Sequence, residues 1–176
     1  MASDVEDRIA GSPRRLFLLA ALATVALDLI TKLIAEATLL RTAGISVLGD
    51  WFQLRLVYNQ CAAFGICLGP YSRWIFLVLA VLALVVLGSM VRNTRDTDHG
   101  RLFVLGLLVA GAVGNVVDRL RSAQGVVDFI EVGIGNYRWP TFNVADIAVS
   151  CGAIALAISL WREDARRAEA ESLPAA

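Results

Sequence analysis

The sequence predicts an all-α membrane protein, a four-transmembrane-helix bundle with a small extracytoplasmic β element between helices 1 and 2, and three observations lead there. Hydrophobic residues make up 57% of the 176 positions and charged ones only 18%. With a mean hydropathy of +0.66, this is more apolar surface than a water-soluble core of that size could hide. The surplus sits in four runs, Leu16–Ile34, Trp74–Val91, Leu102–Val117 and Phe142–Leu160. Charges gather instead in Met1–Arg15, in Arg92–Arg101 and after Trp161.

Each run gives a helix roughly 25–30 Å long at about 1.5 Å per residue, close to the hydrocarbon thickness of a bilayer. Without water in the bilayer core, backbone N–H and C=O groups must pair within the segment, which selects helices. The expected spans are residues 16–36, 73–92, 101–120 and 142–161, in one domain covering 1–176. Gly106, Gly111 and Gly114 let the third helix approach a neighbour closely. A competing reading makes the first run a cleaved export signal, with Arg14-Arg15 before it and Ala35-Glu36-Ala37 as the cut. Asp28, Lys32 and Glu36 interrupt the run and argue against it. Between the first two spans, a segment near 41–60 carries the β-branched and aromatic run Ile45–Tyr58, which reads as a small hairpin or curved sheet. The charged tail 162–176 reads as a fraying extension of the last helix.

An even number of spans puts both termini on one side. Arg8, Arg14 and Arg15 precede the first span, Arg92, Arg95 and Arg101 join the second to the third, and Arg162, Arg166 and Arg167 follow the fourth. Arg41, Arg55, Arg73, Arg121 and Arg138 lie on the other side, with Arg119 near the end of a span, so a moderate bias favours cytoplasmic termini. Leu39–Arg73 and Leu120–Thr141 are then the extracytoplasmic segments.

Ionisable and amide groups interrupt three of the spans in an orderly way. Asp28 and Lys32 lie four apart, one helical turn, where they can pair. Asn115, Asp118 and Arg119 share a face of the third helix, and Asn143 and Asp146 share a face of the fourth. Both groups sit near the outer ends of their helices, and Asp128 follows in the outer connection. A single aspartate is as well explained by helix packing as by function. Several carboxylates and amides converging on one depth point to a site.

The residue types restrict the chemistry. The single histidine, His99, falls in the cytoplasmic loop, so a Ser/His or Cys/His nucleophile has no base on the correct side. Cys61 and Cys67 could pair or stay free, Cys151 reads as a small apolar filler within the fourth span, and the set does not suit zinc. Paired carboxylates remain. Two aspartates held close in a low-dielectric pocket share a proton, one serving as base toward water and the other as acid. Asp128 and Asp146 are the expected pair, with Asn115 and Asn143 orienting them and Arg119 steadying a carbonyl or a phosphate. A different class of function, a proton- or cation-coupled carrier component with a relay through Asp28, Asp118 and Asp146, would string its charges across the membrane instead.

Five motifs appear in order: Asp28–Lys32 (DLITK), Asn59–Phe64 (NQCAAF), Gly114–Arg119 (GNVVDR), Gly125–Phe129 (GVVDF) and Phe142–Asp146 (FNVAD). In them the chain resembles the lipoprotein signal peptidases, the type II signal peptidases of bacteria. The resemblance implies a catalytic dyad of Asp128 and Asp146, supported by Asp28, Lys32, Asn59, Asn115, Asp118, Arg119 and Asn143. It implies an integral membrane peptidase domain of the bacterial cytoplasmic membrane with its active site toward the outer face. The implied substrate is a diacylglyceryl-modified prolipoprotein, cut just before the lipidated cysteine, with the two outer connections as clamp and lid. A monomer in contact with membrane lipid is expected, with no metal, no organic cofactor and no nucleic-acid partner. Cys61 departs from the pattern, since the family usually has glycine there, and this bears on the local backbone, where glycine permits dihedrals that cysteine resists.

Overall fold

The computed structural model describes residues 13–61 and 66–172. Arg8, Phe64 and the last residues of the tail, 173–176, all used in the sequence reading, lie outside them. In chain order the elements are α1 (Pro13–Thr38), β1 (Ile45–Leu48), β2 (Phe52–Asn59), α2 (Ser72–Asn93), α3 (His99–Arg121), β3 (Val126–Ile134), β4 (Tyr137–Arg138) and α4 (Val144–Ser172). All four helices are long and apolar enough to cross a membrane. α4 runs on through the charged segment after Trp161.

α3 is the centre of the bundle and packs against the other three helices. Its Leu102, Leu105 and Ala110 are fully enclosed, whereas α2 leaves Val78, Leu82, Val85 and Val86 exposed, as a helix facing hydrocarbon does. The close approaches rest on glycine. A methyl group on Gly106 would stand 2.9 Å from the Phe17 carbonyl oxygen of α1, and one on Gly111 would collide with the Ala145 carbonyl of α4.

The four strands form one antiparallel sheet in the order β1-β2-β3-β4. Two strands form between the first two helices, but half of the sheet comes from the connection between α3 and α4, for which a lid and no strand is expected from sequence. The reason lies in the residues: Val126–Ile134 (VVDFIEVGI) is β-branched-rich, and pairing with it covers the free edge of β2. In that ladder Val57 stands opposite Asp128 and Asn59 opposite Val126. Gly125, at φ +99°, makes the turn into β3, and any side chain there would run into the Asn59 backbone. The sheet closes over one end of the bundle through a cluster of Ala35, Leu39, Leu56, Val127 and Phe129.

Beneath the sheet lies a fully buried charge cluster. Lys32 Nζ is 2.7 Å from Asp28 Oδ2 and 2.8 Å from Asp118 Oδ2, with all three side chains at 0% exposure. It also donates to Asn115 Oδ1 at 3.2 Å, so the ammonium lies among two carboxylate oxygens and one amide oxygen. Asp28 Oδ1 accepts the Ala145 N–H of α4 at 2.9 Å, and Asp118 Oδ2 accepts the Val127 N–H of β3 at 3.2 Å. The cluster therefore ties α1, α3, α4 and the sheet together. Reading α1 as a cleaved signal would remove two of its members.

Removing one partner of a buried pair leaves an uncompensated charge and costs more than the pair contributes. Lys32→Met is expected to lower unfolding stability in detergent by about 3–5 kcal/mol. Adding Asp28→Asn and Asp118→Asn to it should recover part of that loss. Equal stability of wild type and Lys32→Met would mean that the cluster does not hold the helices.

Candidate active site

The site is built on the first turn of α4. Asn143 precedes the helix and caps it: its Oδ1 accepts the Asp146 N–H at 2.9 Å, and Asp146 Oδ2 accepts the Asn143 N–H at 3.2 Å. This is a reciprocal capping box with aspartate in the third position. The cap leaves the Asn143 amide group free to donate to Asp128 Oδ1 at 2.7 Å. Asn59, at the end of β2, donates to Asp128 Oδ2 at 3.1 Å. From α3, Asn115 Nδ2 donates to Asp146 Oδ1 at 2.8 Å. Each of the two carboxylates is thus held by a donor on each oxygen, and the donors come from separate elements.

Both carboxylates line a cavity of about 290 Å³ at the sheet end of the bundle. Asn59, Asn115 and Arg119 complete its polar side, and Trp139, Pro140, Phe142 and Ile147 form an apolar wall. Arg119 is fixed by donating Nη1 to the Asn115 carbonyl at 3.3 Å and Nη2 to the Cys61 carbonyl at 3.1 Å. Its buried Nε meets no acceptor. Asp128 is only 2% exposed. Burial, and after it the negative charge of Asp146, push its carboxyl up to about 7, against the opposing hydrogen bonds from Asn59 and Asn143 and the charge of Lys32. Near neutral pH, then, Asp128 sits at the edge of holding a proton.

All nine residues singled out from the sequence join one connected network. Asp128, Asp146, Asn59, Asn115 and Arg119 face the cavity. Asp28, Lys32, Asp118 and Asn143 are buried and lie outside the cavity lining. Sequence reasoning missed the extension of this network: Arg121 bonds Asp118 Oδ1 at 2.8 Å and Glu36 Oε2 at 2.9 Å, and Tyr58 donates to Glu36. The spacing of Arg121, three after Asp118, was the available signal. It also missed the Trp139-Pro140 wall just before the last motif.

Cys61 and Cys67, left open above, form a disulfide with Cα atoms 4.7 Å apart. The bridge ties the end of β2 to the approach of α2. Cys61 also donates its N–H to Asn59 Oδ1 at 2.9 Å, so the bridged residue touches both Asn59 and Arg119. Cys151 is not a packed filler: it is free and exposed and borders the cavity, because Gly152 takes the side of α4 turned to α3. No group of three or more metal-ligating side chains occurs among the described residues. His99 is exposed at the opposite end of α3.

Four membrane-length helices capped by a small sheet, with two aspartates presented to one cavity, define a polytopic membrane protein of the paired-carboxylate class. Residues 20–162 match the family model described as signal peptidase (SPase) II. The chain is 35% identical to the lipoprotein signal peptidase of Geobacter sulfurreducens over 155 residues, covering 88% of this chain and 96% of that one. It is 36% identical to the lipoprotein signal peptidase of Francisella tularensis subspecies novicida over 148 residues, 82% of this chain and 90% of that one. A solved bacterial membrane enzyme, determined in meso at 2.3 Å, superposes with a TM-score of 0.77 at 29% identity, covering 85% of this chain and 90% of that one. A second, at 1.9 Å, gives 0.72 at 30% identity, over 82% of this chain and 91% of that one. The chain belongs to the signal peptidase II family, and is an aspartic-type membrane endopeptidase.

The cysteine assignment is directly checkable, since the chain has three cysteines, of which one is free. Alkylation of the unfolded protein with iodoacetamide, read by intact mass, should add one group before reduction and three after it. Three groups without reduction would contradict the bridge.

Proposed function

We propose that the protein removes the signal peptide from diacylglyceryl-modified prolipoproteins, cutting just before the lipidated cysteine, with Asp128 and Asp146 as the catalytic dyad. The observation that carries the assignment is that one cavity holds both carboxylates, each fixed by two donors, with Asp128 raised to about 7. Supporting it, the relatives named above are lipoprotein signal peptidases.

In the proposed reaction Asp128 supplies the proton and Asp146 acts as the base toward water. A water between them adds its oxygen to the scissile carbonyl carbon. Asp146 takes a proton from that water while Asp128 gives its own to the carbonyl oxygen, producing a neutral gem-diol. In the collapse Asp146 returns its proton to the departing cysteine nitrogen, the C–N bond breaks, and Asp128 recovers a proton from a diol hydroxyl. Arg119 lies against the same cavity and steadies a substrate carbonyl or the lipid portion through its remaining donors. Asn59, Asn115 and Asn143 position the dyad, and Asp28, Lys32 and Asp118 hold the three helices at the required spacing.

Orientation and assembly belong to the same proposal. Both termini face the cytoplasm, the sheet and cavity lie at the outer face, and the connections flanking them clamp the substrate where helix ends meet headgroups. One domain acts as a monomer among membrane lipids. A carrier relay is disfavoured because the polar groups of α1, α3 and α4 meet at the sheet end instead of spanning the bundle.

Asp128→Asn and Asp146→Asn are each expected to lower cleavage of a lipid-modified precursor by about 10²–10⁴-fold while leaving insertion intact. Near-normal cleavage by either variant would overturn the dyad. In the wild type, raising pH through about 7 takes the proton from Asp128, so the rate should fall on the alkaline side about tenfold per unit. A rate still rising through pH 8 would contradict this.

A further inference from the structure

At the end of the bundle opposite the dyad, the ends of α2 and α4 and the start of α3 enclose a second cavity of about 960 Å³. Five arginines line it, Arg95, Arg101, Arg162, Arg166 and Arg167, against two acids, Asp98 and Glu163. Arg101 already engages both acids: its Nη2 is 2.8 Å from Glu163 Oε2, and its Nε is 3.7 Å from Asp98 Oδ2. Even so, those buried Nε and Nη2 atoms lack a well-directed hydrogen bond. Among the described residues, Arg95, Arg162, Arg166 and Arg167 enter no ion pair. Five positive charges against two negative leave a surplus of three at this place. The four arginines outside ion pairs are exposed, so this surplus is open to an anion from the headgroup layer.

The cavity does not end at the arginines. Asn93, Thr94 and Arg101 also line a neighbouring groove of about 400 Å³, whose other walls are Val85, Val86, Ser89 and Met90 of α2. A basic pocket therefore opens into a largely apolar channel running along a helix that leaves Val85 and Val86 exposed. A soluble anion would use the first part and have no need of the second. A molecule with a phosphate head and an acyl tail uses both, and basic pockets at the ends of membrane helices suit such heads.

We propose that this cavity and groove form a binding site for an anionic glycerophospholipid, its phosphate among Arg95, Arg162, Arg166 and Arg167 and one acyl chain against Val85, Val86 and Met90. The site is separate from the dyad and takes a resident lipid, not the substrate.

The test uses the full-length protein, purified in detergent, delipidated and titrated with phosphatidylglycerol, with phosphatidylcholine of the same chains and with inorganic phosphate. Bound lipid is counted by native mass spectrometry. One phosphatidylglycerol per chain is expected, held at least about tenfold more tightly than phosphatidylcholine. The double variant Arg162→Gln with Arg166→Gln should weaken it roughly thirtyfold. Val86→Trp, which fills the groove and leaves the charges alone, should weaken it as well, and both variants should keep wild-type cleavage. Equal retention of the two lipids, or undiminished phosphatidylglycerol binding by the arginine variant, would overturn the site. Displacement of the lipid by millimolar inorganic phosphate, or indifference to Val86→Trp, would reduce it to a simple anion pocket and overturn the lipid assignment.

Discussion

Lys32 is held by three acceptors in a place where water cannot replace any of them, and much of the molecule is arranged to keep them there. Two of the acceptors are carboxylates on α1 and α3; the other oxygen of Asp28 accepts a backbone N–H of α4, while Asp118 Oδ2 also accepts one from β3 and its Oδ1 is held by Arg121. An ion buried in this way is a weak source of net stability but a strict constraint on geometry, because any other spacing of the helices strands a charge. Gly114 belongs to the same constraint: its missing side chain is what admits the Asp28 carboxylate against α3. The third acceptor, Asn115, passes the constraint upward, since its other end holds Asp146.

The sheet completes what the helices begin. β3 carries Asp128 to the cavity that Asp146 lines from α4, and the pairing of β2 with β3 brings Asn59 to its second oxygen. Burial beside a second carboxylate then raises Asp128 toward neutrality. The capping of α4 and the positioning of the pair are one set of bonds: Asn143 stops the helix with its oxygen and holds Asp128 with its nitrogen. A helix end that must satisfy its free N–H groups without water has been turned into the floor of a site.

The helices were legible because a bilayer imposes one length and one hydropathy on every span, and the buried polar residues stood out against that background. Seven of the nine candidate site residues, those in the expected spans, stood out for the same reason, whereas Asp128 was expected from the outer connection and Asn59 came only from the motif resemblance. β3 was not legible in this way. Its residues Val126–Phe129 were read as a motif around Asp128, although Val, Val, Phe, Ile and Val also spell a strand. Strand pairing is a long-range property, and the 69-residue separation between Asn59 and Asp128 is invisible to local pattern. The disulfide was undecidable from spacing alone, since a six-residue separation fits both a bridge and two free thiols. The outward turn of Cys151 depends on which side of α4 meets α3, and an apolar helix in lipid has little periodicity to reveal that.

Infrared spectroscopy of carboxyl groups tests the central claim, that two acids in one cavity hold a single exchangeable proton near neutral pH. Difference spectra of purified protein recorded across pH 5 to 9 should show a protonated-carboxyl band that fades about pH 7 and is missing from a variant lacking the Asp128 carboxyl. A wild-type spectrum with no such band, or one that an Asp128 variant leaves unchanged, would contradict the account.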